Sequence, residues 1–329
     1  MKQKCNFKYL LLFLMLLSSF KSFAYYNFEL DGIYYYIISS ADKTLGVGYD
    51  SASSNYYSGH ISIPKNVVYN GEIYSVTEIG YKAFYNCRNL KSINMPNSIS
   101  KIGQYAFSSC TGITSISMPN SVITIDACAF QSCSNLQHVS LSDSLIFIGE
   151  RAFEDCMFLS SLTIPEGVTS IEKNTFRGCQ SLSSISIPNS VLSIGARAFE
   201  DCYDLTSITI PHSVTSIGNY SFADCSSMTK IHSNAIIPPI CGLEALCDIN
   251  KDFCELIVPD ESVSAYQIAD QWKDFTIIST SIEYIENNYK DNTFEIVRYD
   301  INGRRLQKPC KGINIVKYNN GLTRKEFIK

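Results

Sequence analysis

The stretch IGARAFEDCYDLTSITIPHSV, residues 194–214, is one copy of a unit that recurs every 23 residues through the middle of the chain. Phenylalanine and, three residues later, cysteine keep the same phase in seven successive copies. The positions are Phe84, Phe107, Phe130, Phe153, Phe176, Phe199 and Phe222, with Cys87, Cys110, Cys133, Cys156, Cys179, Cys202 and Cys225. A fixed period of this length is typical of solenoids, in which each copy forms one coil.

Each unit contains one segment with the alternation of a half-buried strand. In the segment 90–96, apolar Ile93 and Met95 share one face. Polar Ser92 and Asn94 share the other, and the segment ends at a proline, which cannot donate to a strand ladder. One unit buries too little apolar surface to be stable alone, so the units must stack and the phenylalanine column becomes a continuous core.

The cysteine column has two interpretations. Stacked units place equivalent atoms about 4.8 Å apart, which is within the range that a disulfide spans. However, the side chains of a stacked column point in the same direction, and seven is an odd number. Cysteine also behaves as a small apolar residue. We therefore favour reduced thiols in the core over disulfides.

The repeated pattern resembles the IGxxAFxxCxxLxSIxIPxSV consensus of BspA-like leucine-rich repeat proteins, from Ile61 to Phe275. The resemblance implies a mainly β leucine-rich-repeat solenoid that is right-handed, with short helical or 3-10 turns on the convex side and β-rich caps. It also implies a secreted or cell-surface protein of a host-associated bacterium. Some members of the family act as adhesins for host matrix proteins or other microbes, and they share no catalytic residue.

The sequence before the repeats predicts an export signal. Lysines precede an apolar run at residues 9–17, and the small residues Ser22 and Ala24 follow it. The run is shorter than the roughly 18 apolar residues of a membrane-spanning helix, so we predict a signal peptide at residues 1–24. After the signal peptide, we predict an N-terminal β cap at residues 25–63, the solenoid at residues 64–235 and a C-terminal cap at residues 236–278.

Both caps contain local signals of their own. Tyr69-Asn70-Gly71-Glu72 lies between apolar runs and predicts a hairpin, which we expect to cover the open edge of the solenoid. A short helix is expected near 262–270 in the C-terminal cap. Cys241, Cys247 and Cys254 lack a CxxC pair, and in an exported protein we favour one disulfide among them over a metal site.

Residues 279–329 depart from the period and are interpreted as a separate small β module. The net charge is −13 over residues 25–290 and +5 over residues 291–329. Asn302-Gly303 and Asn320-Gly321 predict turns between its strands. The runs 296–305 and 311–316 look similar to the C-terminal sorting domain of the type IX secretion system in Bacteroidetes, and this resemblance implies a sorting role.

Two columns on the outward face of the predicted strands carry almost no charge. Small hydroxyl residues tolerate the tight strand spacing and stabilise a sheet by cross-strand pairing, which is the more economical interpretation. The other interpretation is a flat hydrogen-bonding surface for an extended protein or glycan ligand. The candidate ligand-binding residues are Ser115, Ser117, His138, Ser140, Ser161, Thr163, Ser184, Ser186, Ser207 and Thr209.

Two further groups of residues receive a structural interpretation. Glu154, Arg177 and Glu200 follow one another in successive units, with Glu150 and Lys173 alongside, and predict a ladder of ion pairs. Tyrosines near the N-terminus could form an aromatic platform for glycans, but we favour packing within the cap. They are Tyr34, Tyr35, Tyr36, Tyr56 and Tyr57.

Nothing in the pattern points to catalysis or to a cofactor. The four histidines share no metal-ligand spacing, and no GxSxG motif or phosphate-binding glycine loop occurs. Lys and Arg total 27 against 31 Asp and Glu in 329 residues, a net charge of −4, which disfavours a nucleic-acid partner.

We therefore expect a secreted or outer-cell-surface protein, monomeric and without a transmembrane helix, cofactor or metal. It would bind a protein or glycan as an adhesin-like module. The alternative is a structural spacer or surface-layer component with no specific ligand, and an enzyme is a distant third.

Overall fold

A computed structural model describes residues 26–49, 57–280, 295–300, 304–306, 308–309, 311–318 and 323–328. The predicted signal peptide at residues 1–24 lies outside the described residues. The solenoid predicted from the 23-residue period is confirmed, because strands 23 residues apart pair in register along the chain.

The N-terminal region is rich in strands. They are β1 (Phe28–Leu30), β2 (Ile33–Ser39), β3 (Thr44–Val47), β4 (Gly59–Ser62), β5 (Asn66–Tyr69) and β6 (Glu72–Ile79). Strands β1, β2 and β3 form an antiparallel meander, and β3 then pairs in parallel with β6. The expected β-rich cap is therefore present.

The Asn-Gly hairpin forms as predicted between β5 and β6, with Asn70 and Gly71 in the left-handed region at φ 51° and 79°. Its expected position at the open edge is wrong. Ser75 of β6 pairs with Thr44 of β3 on one side and with Asn66 of β5 on the other. The meander β1–β3 therefore covers the edge of β6, while β5 lies on the side from which the repeats continue.

Each unit of the repeat region contributes two strands. In chain order they are β7 (Leu90–Asn94), β8 (Lys101–Ile102), β9 (Ser115–Ser117), β10 (Thr124–Ile125), β11 (His138–Ser140), β12 (Phe147–Ile148), β13 (Ser161–Thr163), β14 (Ser170–Ile171), β15 (Ser184–Ser186), β16 (Ser193–Ile194), β17 (Ser207–Ile210), β18 (Ser216–Ile217), β19 (Lys230–Ser233) and β20 (Ile240–Cys241). We call the odd-numbered strands of this series, with β4, the front layer, and the even-numbered ones the back layer. All pairing within both layers is parallel.

The turns that join the back layer to the next front strand are tight. Successive bonds of the 3-10 type hold them, such as Ala106 N–H to the Gly103 oxygen and Cys110 N–H to the Phe107 oxygen. Each turn also carries two residues in the left-handed region, for example Arg197 and Asp201 at φ 57° and 62°. Glycine is required where coils approach most closely, since a Cβ on Gly218 would lie 2.5 Å from the Ala196 nitrogen.

The core is a stack of the repeated phenylalanines. All seven side chains are at most 1% exposed, and successive ring centroids lie 5.1–5.7 Å apart in near-parallel planes. The seven repeat cysteines are free and buried beside them, as favoured from the sequence. From Cys110 to Cys225, each thiol contacts a backbone carbonyl of the preceding coil, whereas the first thiol, Cys87, interacts with the side chain of Cys110.

The C-terminal cap contains β21 (Glu255–Val258), a 3-10 turn (Asp260–Ser262), the helix α1 (Val263–Tyr266) and β22 (Thr276–Ser279). The helix is shorter than the predicted 262–270. Side chains from the last residue of the helix onwards bind the last coil in place of a further unit. The Tyr266 hydroxyl donates to the Ala235 oxygen at 3.0 Å, the Trp272 Nε1 donates to the Pro239 oxygen at 2.9 Å, and Gln271 donates to the Gly242 oxygen.

The disulfide favoured for this cap is not formed. Cys241, Cys247 and Cys254 are all free thiols. They lie on different elements: Cys241 ends β20, Cys247 lies in the following turn, and Cys254 is buried just before β21. The cap is held instead by packing and by the side-chain hydrogen bonds of the preceding paragraph.

The C-terminal segment contains β23 (Glu295–Asp300), β24 (Arg305–Leu306), β25 (Gly312–Tyr318) and β26 (Thr323–Ile328). They form an antiparallel sheet in the order β24-β23-β25-β26. The turns predicted at 302–303 and 320–321 lie outside the described residues.

Candidate ligand-binding face

All ten candidate residues are exposed on the front layer, on the strands β9, β11, β13, β15 and β17. The register aligns them in two columns. Ser161 faces Ser184, and Thr163 faces Ser186, while the residue between them on each strand points into the core. We call this exposed surface, made of the ten candidate residues, the front face.

The hydroxyls of the front face are not used by the fold. None of the ten side chains forms a hydrogen bond with another residue in the described ranges. The serines one position earlier behave differently: Ser183 Oγ donates to the Ser160 oxygen at 3.1 Å, and Ser160 Oγ to the Gln137 oxygen at 3.4 Å. The serines one position earlier therefore form hydrogen bonds between successive coils. The front-face hydroxyls remain available to solvent or to a ligand.

Polar and charged pairs mark the two ends of the front face. At the N-terminal end, His60 Nδ1 lies 2.7 Å from Ser92 Oγ, and Asn94 donates to Ser62. At the C-terminal end, Lys230 Nζ lies 3.5 Å from a Glu255 carboxylate oxygen. The run of hydroxyls without protein partners is therefore central in the repeat region.

A third polar column borders the front face, and the strand alternation alone did not identify it. Its residues occupy the variable position after proline, or after Ser142 in one unit, and all five are exposed. We call it the post-proline column: Asn120, Asp143, Glu166, Asn189 and His212. The signal was present in the sequence, because every residue at this position can form hydrogen bonds.

Two adjoining depressions, each with a volume of about 570 Å³, lie where these columns meet. Asp143, Thr163 and Ser186 line both. One depression extends to Ser140 and Ser161, and the other to Glu166 and Asn189. We call the two together the groove, and it runs across β11, β13 and β15.

The predicted ion-pair ladder is present on the turns, away from the front face. The Arg177 guanidinium lies 2.5 Å from Glu200 and 3.4 Å from Glu154. The ladder is less exposed than expected, since the Glu154 side chain is only 4% exposed. Burial, followed by the charge of Glu154, raises the pKa of the neighbouring Asp155. These contacts fix the register of the turns.

The N-terminal tyrosines pack within the cap, as favoured from the sequence. Tyr35 is buried, and burial together with the charge of Asp31 raises its pKa to about 12. The Tyr57 ring lies 4.6 Å from the ring of Phe84, the first of the stack. The Tyr36 hydroxyl donates to Glu78. Tyr56 lies outside the described residues.

Potential metal ligands are dispersed among the described residues, and several buried thiols are weakly acidic. Within the described ranges, no group of three or more His, Cys, Asp or Glu side chains is placed to hold a metal ion. Burial raises the pKa of Cys133, Cys241 and Cys254 to about 12, so these thiols are protonated at neutral pH and are poor nucleophiles. The described helices are too short or too polar to cross a bilayer.

Comparisons with known proteins agree with the coil geometry. The family pattern of the "BspA type Leucine rich repeat region" matches residues 55–160 and 146–240, and the match includes six copies of the repeat. A leucine rich cell surface protein from Faecalibacterium prausnitzii has a similar structure, with a TM-score of 0.58 and 26% identity over 77% of this chain and 72% of that one.

A leucine-rich repeat protein from Bacteroides ovatus gives a TM-score of 0.47 and 24% identity over 71% of each chain. No curated protein matches the chain. Leucine-rich repeats are generally non-enzymatic binding modules, and their solenoids present extended surfaces to proteins. Because the repeat pattern spans more than half of its residues, the chain belongs to the BspA-type leucine-rich repeat family.

Proposed function

We propose that this protein is an exported leucine-rich repeat module that binds a macromolecule at the cell surface through the front face, in the manner of an adhesin. The ligand would be a host matrix protein, a glycan or the surface of another microbe. The observation that supports this most directly is the set of ten exposed side chains that have no hydrogen-bond partner in the described protein. Regular spacing of these groups suits an extended ligand.

The proposed location rests on two observations. Residues 1–24 have the pattern of a signal peptide, and a structurally similar protein from Faecalibacterium prausnitzii is described as a cell surface protein. We further propose that residues 279–329 act as a sorting module. Deleting residues 291–329 should abolish surface display while the protein is still exported, and unchanged display would remove the sorting role.

The second candidate is a structural spacer without a specific ligand. It is favoured by the same hydroxyl columns, since serine and threonine on neighbouring strands stabilise a sheet without any partner. In either case we expect no catalytic turnover and a monomer in solution.

A binding screen against matrix proteins and glycans separates the two functions. The test variant carries Ser161→Lys, Ser184→Lys and Ser207→Lys on the front face. The matched control carries Gln104→Lys, Thr169→Lys and Ser216→Lys, which are exposed positions elsewhere and add the same charge. We expect binding by the wild type and the control and loss of binding in the test variant. Absence of binding to the whole panel would favour the spacer.

A further inference from the structure

We propose that the groove binds an uncharged polysaccharide chain that lies across β11, β13 and β15. This inference rests on the proposed function, because it names the ligand class of the same face. It is carried by the combination of an elongated depression, its hydrogen-bonding groups, its apolar surface and its charge.

The hydrogen-bonding groups of the groove match those of a sugar. Serine and threonine hydroxyls donate and accept, and the amide of Asn189 does both as well. The carboxylates of Asp143 and Glu166 accept from two donors each, so each can bind neighbouring hydroxyls of one sugar ring. All of these side chains are exposed, and those from the front face have no partner in the described protein.

The groove also has an apolar component. Leu141 and Pro165 are only partly buried and line it between the polar columns. Binding sites for small molecules generally combine apolar surface with a few placed polar groups. The C–H faces of a sugar ring can lie on these side chains while its hydroxyls reach the flanking polar groups.

The charge of the groove selects among polysaccharides. Its lining contains Asp143 and Glu166 but no lysine or arginine. Like charges brought together across an interface disfavour binding. A sulfated or uronic-acid polymer would bring anionic groups to these carboxylates, so the lining favours an uncharged chain.

The composition of the groove disfavours a protein ligand. The buried centres of protein interfaces are rich in tyrosine, tryptophan, phenylalanine, methionine and arginine, and poor in serine. None of those five residue types lines either depression, whereas Ser140, Ser161, Ser184 and Ser186 do. A hydroxyl-rich polymer matches this lining better than a peptide does.

The repeat spacing supports a polymer over a single sugar. Neighbouring strands lie about 4.8 Å apart, so a hydrogen-bonding side chain of each column recurs at about that interval across the face. A polysaccharide whose sugars advance by a comparable distance can form equivalent contacts on successive coils. Linked contacts of this kind raise the overall affinity well above that of each one.

Affinity electrophoresis of the full chain tests the proposal. Native gels would contain a soluble neutral polysaccharide (mannan, xylan or a mixed-linkage β-glucan), an acidic one (polygalacturonate or heparin) or neither. The test variant is Asp143→Ala with Glu166→Ala. The control is Asp252→Ala with Glu261→Ala, which removes the same charge from exposed positions in the C-terminal cap. Far-UV circular dichroism checks that both variants fold.

We expect at least one neutral polysaccharide to retard the wild type and the control, and the groove variant to bind at least tenfold more weakly, or about 1.4 kcal/mol. Equal retardation of both variants would place the glycan elsewhere and overturn the proposal. Binding of a matrix protein but of no neutral polysaccharide would also overturn it, while leaving the proposed function intact. Binding of no ligand in either class would overturn both.

Discussion

The Sγ of Cys179 lies 3.2 Å from the carbonyl oxygen of Phe153 in the preceding coil. Every repeat cysteine from Cys110 to Cys225 forms the same contact with the phenylalanine of the preceding coil. The Sγ to carbonyl oxygen distances are 2.9–3.3 Å. Each thiol therefore gives a buried carbonyl an additional donor, although S–H is a weak one. The recurrence of cysteine is explained by packing and by this contact, without disulfides.

Stability should fall as the pH rises above the ordinary thiol pKa. Burial raises the pKa of Cys133 to about 12, and the pKa values of Cys156 and Cys202 lie well above the ordinary value of about 8.5. Between about pH 8.5 and pH 12, the thiols of the unfolded chain lose protons that the buried thiols of the folded chain retain. The free energy of unfolding therefore decreases as the pH rises through this range. A buried thiol whose pKa is raised this far, such as that of Cys133, should cost about 2 kcal/mol at pH 10.

Urea unfolding at pH 7.5, 8.5, 9.5 and 10 measures this dependence. Tyrosine ionises in the unfolded chain from about pH 10, so the lower part of the window reports mainly on thiols. The control is Cys156→Ala, which should be less stable at pH 7.5 but lose stability less steeply above pH 8.5. Identical pH dependence in the two proteins would contradict the assignment to buried thiols.

The phenylalanine stack should provide much of the folding energy. Phe153 is fully buried between the rings of Phe130 and Phe176, with centroids at 5.3 and 5.7 Å. We expect Phe153→Ala to lower the free energy of unfolding by about 3–5 kcal/mol, measured by urea denaturation. Phe158→Ala is the matched control, because Phe158 is 53% exposed. It should cost less than about 0.5 kcal/mol, and equal losses would argue against a stacked core.

The period of phenylalanine and cysteine was sufficient to predict the solenoid, because identical residues at a fixed interval can only share a core if the coils stack. The back layer was not predicted as strands, although the column Ile102, Ile125 and Ile148 marks it. Each of these strands has only two residues, too short for the alternation that identifies a strand.

Features that depend on contacts distant in sequence were harder to predict. The prediction of a hairpin at Asn70-Gly71 was correct because the turn depends on local sequence. The prediction of where the hairpin lies in the sheet was wrong. Its position depends on the pairing of β3 with β6, and no local pattern specifies that pairing. The front-face columns were predicted from the alternation of polar and apolar residues along each strand. The post-proline column, which includes Glu166, comes after the strand has ended, so this alternation could not identify it.

Arg177 should stabilise the turns by neutralising nearly buried carboxylates. It contacts Glu154, Glu200 and Asp201, and the side chains of the first two are 4% and 11% exposed. Removing one partner of a buried ion pair costs about 3–5 kcal/mol, and partial exposure of Arg177 reduces this. We expect Arg177→Met to cost about 1–2 kcal/mol in urea unfolding.

The control for that variant is Lys273→Met, which breaks the exposed pair with Asp270 at 2.8 Å. It should leave the free energy of unfolding almost unchanged, because solvent screens an exposed pair. If both variants lost the same stability, the partial burial of the Arg177 cluster would have no energetic consequence.

The C-terminal cap should unfold before the repeats when its hydrogen bonds are weakened. The Tyr266 hydroxyl lies 2.6 Å from Ser233 Oγ and donates to Ala235, and its ring lies 5.5 Å from that of Trp272. Tyr266→Phe keeps the ring and removes the hydroxyl, which leaves buried polar groups without a partner and costs about 1–3 kcal/mol. Because contacts in a solenoid are between neighbouring coils, this loss should be concentrated in the terminal coil.

Trp272 is the single tryptophan of the chain, so its fluorescence reports on the cap alone, whereas far-UV circular dichroism reports on all coils. In the Tyr266→Phe variant the fluorescence midpoint in urea should fall below the circular dichroism midpoint. Tyr69→Phe, in the hairpin at the other end, is the matched control and should leave the fluorescence midpoint unchanged. Coincident midpoints in Tyr266→Phe would mean that the cap and the coils unfold as one cooperative unit, because the interface between Trp272 and Pro239 would then transmit the loss through the whole stack.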